Sequence, residues 1–74
     1  MTQKMWKLLA SKMWDDLSIG NTDTTVFDTE NGIHIISRDP ERIDKYLPTI
    51  AKDYPLTWKK VPSEDNISTE YFIQ

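Results

Sequence analysis

His34, the only imidazole in the chain, is where proton chemistry would have to start, because a neutral ring can accept a proton near neutral pH. The residue pattern around it sets Asp28 across a hairpin, and a carboxylate there could orient the ring as a general base. A base by itself does no chemistry. No nucleophile motif accompanies it, two glycines are too few for a phosphate-cradling loop, and neither paired histidines nor cysteines supply a metal spacing. His34 therefore reads more simply as an outward strand residue in an ordinary cross-strand pair. Asn21-Thr22-Asp23 and Glu64-Asp65-Asn66 offer oxygen ligands but lack the ligand count and the glycine of a calcium loop. Asn66-Ile67-Ser68 matches a glycosylation acceptor, which matters only in a secreted chain. The expectation is a protein that is not an enzyme, with no catalytic residue, no cofactor and no metal.

The remaining chemistry is charge. Trp58-Lys59-Lys60, together with Arg38, Arg42, Lys45 and Lys52, sets bases beside an aromatic side chain, as a single-strand-binding surface would. Against this, the net charge is −3 and the pI about 4.9, so the long-range field that supports nucleic-acid affinity is missing. The plainer account makes Trp58 core and the lysines the outward half of an edge strand. Charge is also segregated along the chain. Residues 1–14 carry Lys4, Lys7 and Lys12 without an acid, and residues 15–30 carry Asp15, Asp16, Asp23, Asp28 and Glu30 without a base. Solvated faces would explain this. An acidic patch for a basic partner, or one imitating phosphates on a nucleic-acid-binding protein, would explain it as well.

These side chains must be positioned by a small framework, and Gly32 to Trp58 is its best-specified part. Asp39 can cap a helix whose first residue is Pro40, where no N–H is needed, and Glu41 suits the positive end of the dipole. Ile43, Tyr46, Leu47, Ile50, Ala51 and Tyr54 then form one apolar stripe. Pro48 lies on the opposite face, which predicts a bent helix, and Pro55 ends it. Residues 3–18 form another helix, capped by Thr2 and stopped at Gly20, with Met5, Trp6, Leu9, Met13 and Leu17 as its core stripe. Leu8 and Trp14 fall off the two edges of that stripe, giving more apolar surface than one sheet face covers.

Thr24–Thr29 and Ile33–Arg38 read as a hairpin around Glu30-Asn31-Gly32. An Asn-Gly turn would pair Phe27 with Ile36 and leave no clean apolar side. A three-residue loop with Gly32 left-handed pairs Phe27 with Ile35 and Thr29 with Ile33, and collects Phe27, Ile33 and Ile35 on one face. The second register fits the pattern better. Leu56–Val61 and Ser68–Ile73 are two further strands around the turn-rich loop from Pro62 to Ile67. The result is an α+β fold, one domain over residues 1–74, in αββαββ order, with a four-stranded, mostly antiparallel sheet and both helices on one face. The other face would carry Val26, His34, Ile36, Thr57, Lys59 and Val61. Strand order is left open.

Seventy-four residues without cysteine make one small domain with no disulfide framework. No apolar run approaches membrane-spanning length, and Met1 leads into an amphipathic segment instead of a signal peptide, so the expected location is the cytoplasm, away from any membrane. A short, acidic, cysteine-free αββαββ chain without catalytic residues resembles, in type only, the small accessory or inhibitor proteins that phages and bacteria encode. The functional expectation is a protein-binding module, an adaptor or inhibitor, using Leu8, Trp14, Asp15, Asp16, Asp23, Asp28 and Glu30. Its partner would be another protein; a homodimer through Trp14 and Leu8 is one form. The alternative is a nucleic-acid-binding domain using Arg38, Lys59 and Lys60 on the open sheet face.

Overall fold

The computed structural model describes all 74 residues. Thr2 opens the first helix, its hydroxyl oxygen accepting from the Met5 amide at 3.2 Å, and α1 runs from Gln3 to Leu17. Gly20 takes φ +76° in the connector that follows, a conformation a β-carbon would oppose. β1 (Thr24–Thr29) and β2 (Gly32–Ser37) form a hairpin, and α2 follows over Pro40–Ala51. Asp39 caps α2 by accepting from the Arg42 amide, with Pro40 in the first turn. The helix continues through Pro48, which sits on the exposed side, so the Asp44 carbonyl it deprives of a donor is on the water side. β3 (Trp58–Pro62) and β4 (Thr69–Ile73) complete the chain.

The sheet order is β1-β2-β4-β3, with every neighbour antiparallel. Val26, Ile33, Ile35, Tyr71 and Ile73 point from it into a core completed by Trp6, Leu9, Ala10, Met13 and Leu17 of α1 and by Ile43, Leu47 and Ile50 of α2. Both helices therefore cover one face. Met5 is exposed and Ala10 takes the place expected for it, because the buried stripe is centred nearer Met13 than Leu9.

The hairpin register differs from both expected ones. Thr29 pairs with Gly32, Asp28 with Ile33 and Phe27 with His34, so the loop is Glu30-Asn31 and neither residue has positive φ. Gly32 is not left-handed. It is needed because a β-carbon there would overlap the carbonyl oxygen of Ile73, whose strand passes directly against it. Shifting a strand by one residue exchanges its two faces. Val26 accordingly enters the core, and Phe27 lies on the open side that had been expected to carry Val26.

A polar network ties together the ends of four elements. Ser18 donates to the Thr24 carbonyl at 2.9 Å, and the hydroxyls of Thr24 and Ser37 lie 2.9 Å apart. Thr24 donates to Asp23 and accepts from Arg42 at 2.8 Å, so the shared proton belongs to Ser37. That leaves the Ser37 oxygen free to accept from the Asp39 amide at 2.9 Å. Every side-chain donor and acceptor buried here is satisfied, as burial requires.

Candidate functional site

Three of the charged residues expected at a site, Asp16, Asp23 and Lys60, are engaged within the fold. Asp16 accepts from the Tyr46 hydroxyl at 2.6 Å and from Lys12 at 3.3 Å, joining the end of α1 to α2. The Tyr46 bond and the Lys12 charge hold its carboxyl below the usual value, while burial and Asp16 push the Tyr46 phenol up. Asp23 is bonded by the Thr24 hydroxyl and by Arg42 at 2.9 Å, which also lower it. Asp65 accepts the amides of Ile67 and Ser68; these bonds lower it and fold the loop on itself. Of the two oxygen-rich clusters, then, Asp23 serves an ion pair and Asp65 a turn. No group of three or more His, Cys, Asp or Glu side chains is arranged to hold a metal.

Lys59 and Lys60, two of the three residues expected to contact nucleic acid, do not share a surface. Lys60 is on the helix side of β3, 2.7 Å from Asp44, which together with the Tyr71 hydroxyl keeps that carboxyl low. Lys59 points the other way, beside Phe72 on the open face. Arg38 lies just past the end of β2. The open face itself has an aromatic row. His34 stacks on Phe72 with ring centroids 4.4 Å apart, meets the edge of Phe27 at 4.9 Å, and is 2.9 Å from Glu70. His34 thus pairs with Phe27 and Glu70 and not with Asp28, whose side chain is on the helix side opposite Ile33. The general-base arrangement expected with Asp28 therefore does not form; the carboxylate beside the ring is that of Glu70.

Part of what remains unengaged gathers along α1 and the free edge of β1. Lys7, Ala10, Ser11 and Trp14 line a groove with Val26, Phe27 and Asp28. Trp14 is 43% exposed there. Leu8 is 61% exposed but stands on the outermost ridge of α1 with Asp15, about 120° around the helix from Trp14 at 100° per residue. The structure therefore unites Trp14 with Asp28, sets Leu8 and Asp15 apart, and places Glu30 at the hairpin turn. Sequence reasoning missed Ser11, Ala10 and Val26 as members of this face. One signal was present: β1 (TTVFDT) has none of the lysines and proline that mark β3 (WKKVP) as a protected edge. No protein-family model, no curated protein and no solved structure matches the chain.

Proposed function

We propose that the protein is a small, non-enzymatic, cytoplasmic protein-binding module of the adaptor or inhibitor kind, and that its contact surface is the groove formed by α1 and the β1 edge. The observation that carries this is Trp14, a large aromatic side chain left half in water above an unpaired strand edge. Such residues anchor interfaces, where truncating one costs about 2 kcal/mol or more, roughly thirtyfold in affinity. No helix is long and apolar enough to cross a membrane. The expected result of affinity capture from the native host is a specific set of proteins retained by the wild-type chain and depleted roughly thirtyfold with Trp14→Ala. Identical recovery with both chains would remove the proposal.

A second reading, single-stranded nucleic-acid binding, is favoured by the row of Phe27, His34 and Phe72 on the open face, since bases stack on such rings. Its electrostatic support is thin, with Lys59 the one base of β3 on that face. It requires a labelled oligonucleotide to bind at low salt and release steeply as salt rises. Absence of binding at low salt excludes it.

A further inference from the structure

The two edges of the sheet differ in what they leave unpaired. Beside β3, Thr57 and Gln74 exchange amide-to-carbonyl bonds of 2.9 Å, so by the alternation of an antiparallel ladder Trp58, Lys60 and Pro62 turn their backbones outward. Pro62 has no N–H to offer and Lys60 is held by Asp44, which closes that edge to a further strand. Beside β1, the Arg38 amide bonds the Asp23 carbonyl at 2.9 Å, so Thr25, Phe27 and Thr29 bond to β2 while Thr24, Val26 and Asp28 face outward. Ser18 takes the Thr24 carbonyl. The amides and carbonyls of Val26 and Asp28 are left, two residues and about 6.8 Å apart along the strand. That spacing is the repeat of an extended backbone, and no lysine or proline of β1 guards it.

The surroundings limit what can bring such a backbone. α1 lies mainly over β1, and Lys7, Ala10, Ser11 and Trp14 wall the groove along that edge. A strand added about 4.8 Å beyond β1 runs along the foot of this wall. Packed helices need about 8–10 Å between their axes, so a strand carrying its own helix on the same side would drive that helix into α1. The place suits a strand with nothing above it. Side chains of such a strand alternate between the two faces of the sheet. Those on the helix side enter the groove beside Val26 and Trp14, and those on the open side lie next to Phe27. Trp14 is 43% and Phe27 38% exposed, so an aromatic ring meets the incoming strand on each of its faces. Charge selects further. Asp28 and Glu30, at the hairpin end of β1, enter no ion pair, and the lining holds one base, Lys7.

We infer that the groove takes an extended peptide segment of another protein, added to the sheet as a further strand beside β1; this rests on reading the face as a protein-binding surface. Main-chain bonds to Val26 and Asp28 hold the segment, and its alternate side chains select it. The residue opposite Val26 is apolar and fills the groove against Trp14. Two positions away, opposite Asp28, a Lys or Arg makes the favourable cross-strand pair of opposite charges. The residue between them lies on the open face, where Phe27 favours an aromatic or β-branched neighbour.

Selection of linear nonapeptides from a displayed random library on the immobilised full chain tests this. The enriched peptides are expected to share an apolar residue two positions from a Lys or Arg. With the tightest of them as a synthetic probe, hydrogen exchange at the Val26 and Asp28 amides slows on binding. N-methylation of the peptide at the apolar residue, whose amide faces β1, weakens binding about tenfold or more. N-methylation at the next residue, whose amide faces away, leaves it nearly unchanged. Asp28→Asn weakens binding of the basic peptide and flattens its salt dependence; Asp28 is exposed, so the fold is kept. Leu8→Ala, on the far ridge of α1, has no effect. Equal effects of N-methylation at the two positions, or unchanged exchange at Val26 and Asp28, overturn the inference, since side chains alone would then carry the contact. A library that yields no peptide, with a host protein still captured in a Trp14-dependent manner, overturns it while leaving the broader binding function standing. A chain that captures neither peptide nor protein removes both.

Discussion

Gly32→Ala is expected to leave the chain largely unfolded at room temperature. The added methyl group would occupy the position of the Ile73 carbonyl oxygen, and that atom belongs to the backbone of a central strand, so it cannot swing aside as a side chain would. Relief requires β4 to move away from β2 just where Ile33 pairs with Ile73, and both residues are fully buried. Overpacking typically costs about 1–3 kcal/mol and occasionally more, and a partner that is backbone puts this case at the upper end. A single core of this size supplies only about 3–5 kcal/mol in total. Asn31→Ala, by contrast, should change stability by less than about 0.5 kcal/mol, because Asn31 is exposed and its φ is not positive. Thermal melts followed by circular dichroism compare the two. A Gly32→Ala chain melting within a few degrees of wild type would show that β4 does not press against Gly32.

Thr24→Val should be nearly as damaging, although it preserves the shape of the side chain and suits a strand. Three groups depend on the lost hydroxyl: the Ser37 hydroxyl donates to it, Arg42 donates to it, and Asp23 accepts from it. Thr24 and Ser37 are buried, so water cannot replace the missing partner of Ser37, while Arg42 retains Asp23 at 2.9 Å. Leaving buried polar groups unpaired costs about 1–3 kcal/mol each, and a total near 3 kcal/mol is expected in urea denaturation. Adding Ser37→Ala should recover part of that loss, since it removes the orphaned donor. If the double variant is less stable than Thr24→Val by the full cost of Ser37→Ala alone, the two hydroxyls act independently and the network does not exist as described.

The elements were legible where their signals are local. Asp39-Pro40 announces α2 because capping and the missing proline N–H act within one turn, and the 3.6-residue stripes of both helices follow from adjacent residues. The hairpin register was not legible, for a physical reason. β1 offers one apolar residue to each side, Val26 and Phe27, and either could have been core. The choice is made by β4, which supplies Tyr71 and Ile73 to one face and Phe72 beside His34 to the other, forty residues or so along the chain. Gly32 was rightly singled out as irreplaceable and given the wrong cause, since a turn glycine and a glycine at a strand crossing look alike in one dimension. The acidic run from Asp15 to Glu30 suffered the same loss of information. Asp16 and Asp23 meet Tyr46 and Arg42, neither of which is near them in sequence, and what remains of the run is Asp15, Asp28 and Glu30.

The closed edge at β3 also determines how large any assembly built on this sheet can become. A strand that joins another on both sides propagates without limit, and the product is a fibre. Here Pro62 and the lysines of β3 leave each molecule a single joinable strand, at β1, and a unit of valence one can only terminate the partner it meets. The number of strands that any such pairing can join would thereby be limited at the level of the backbone, before any side chain selects a partner.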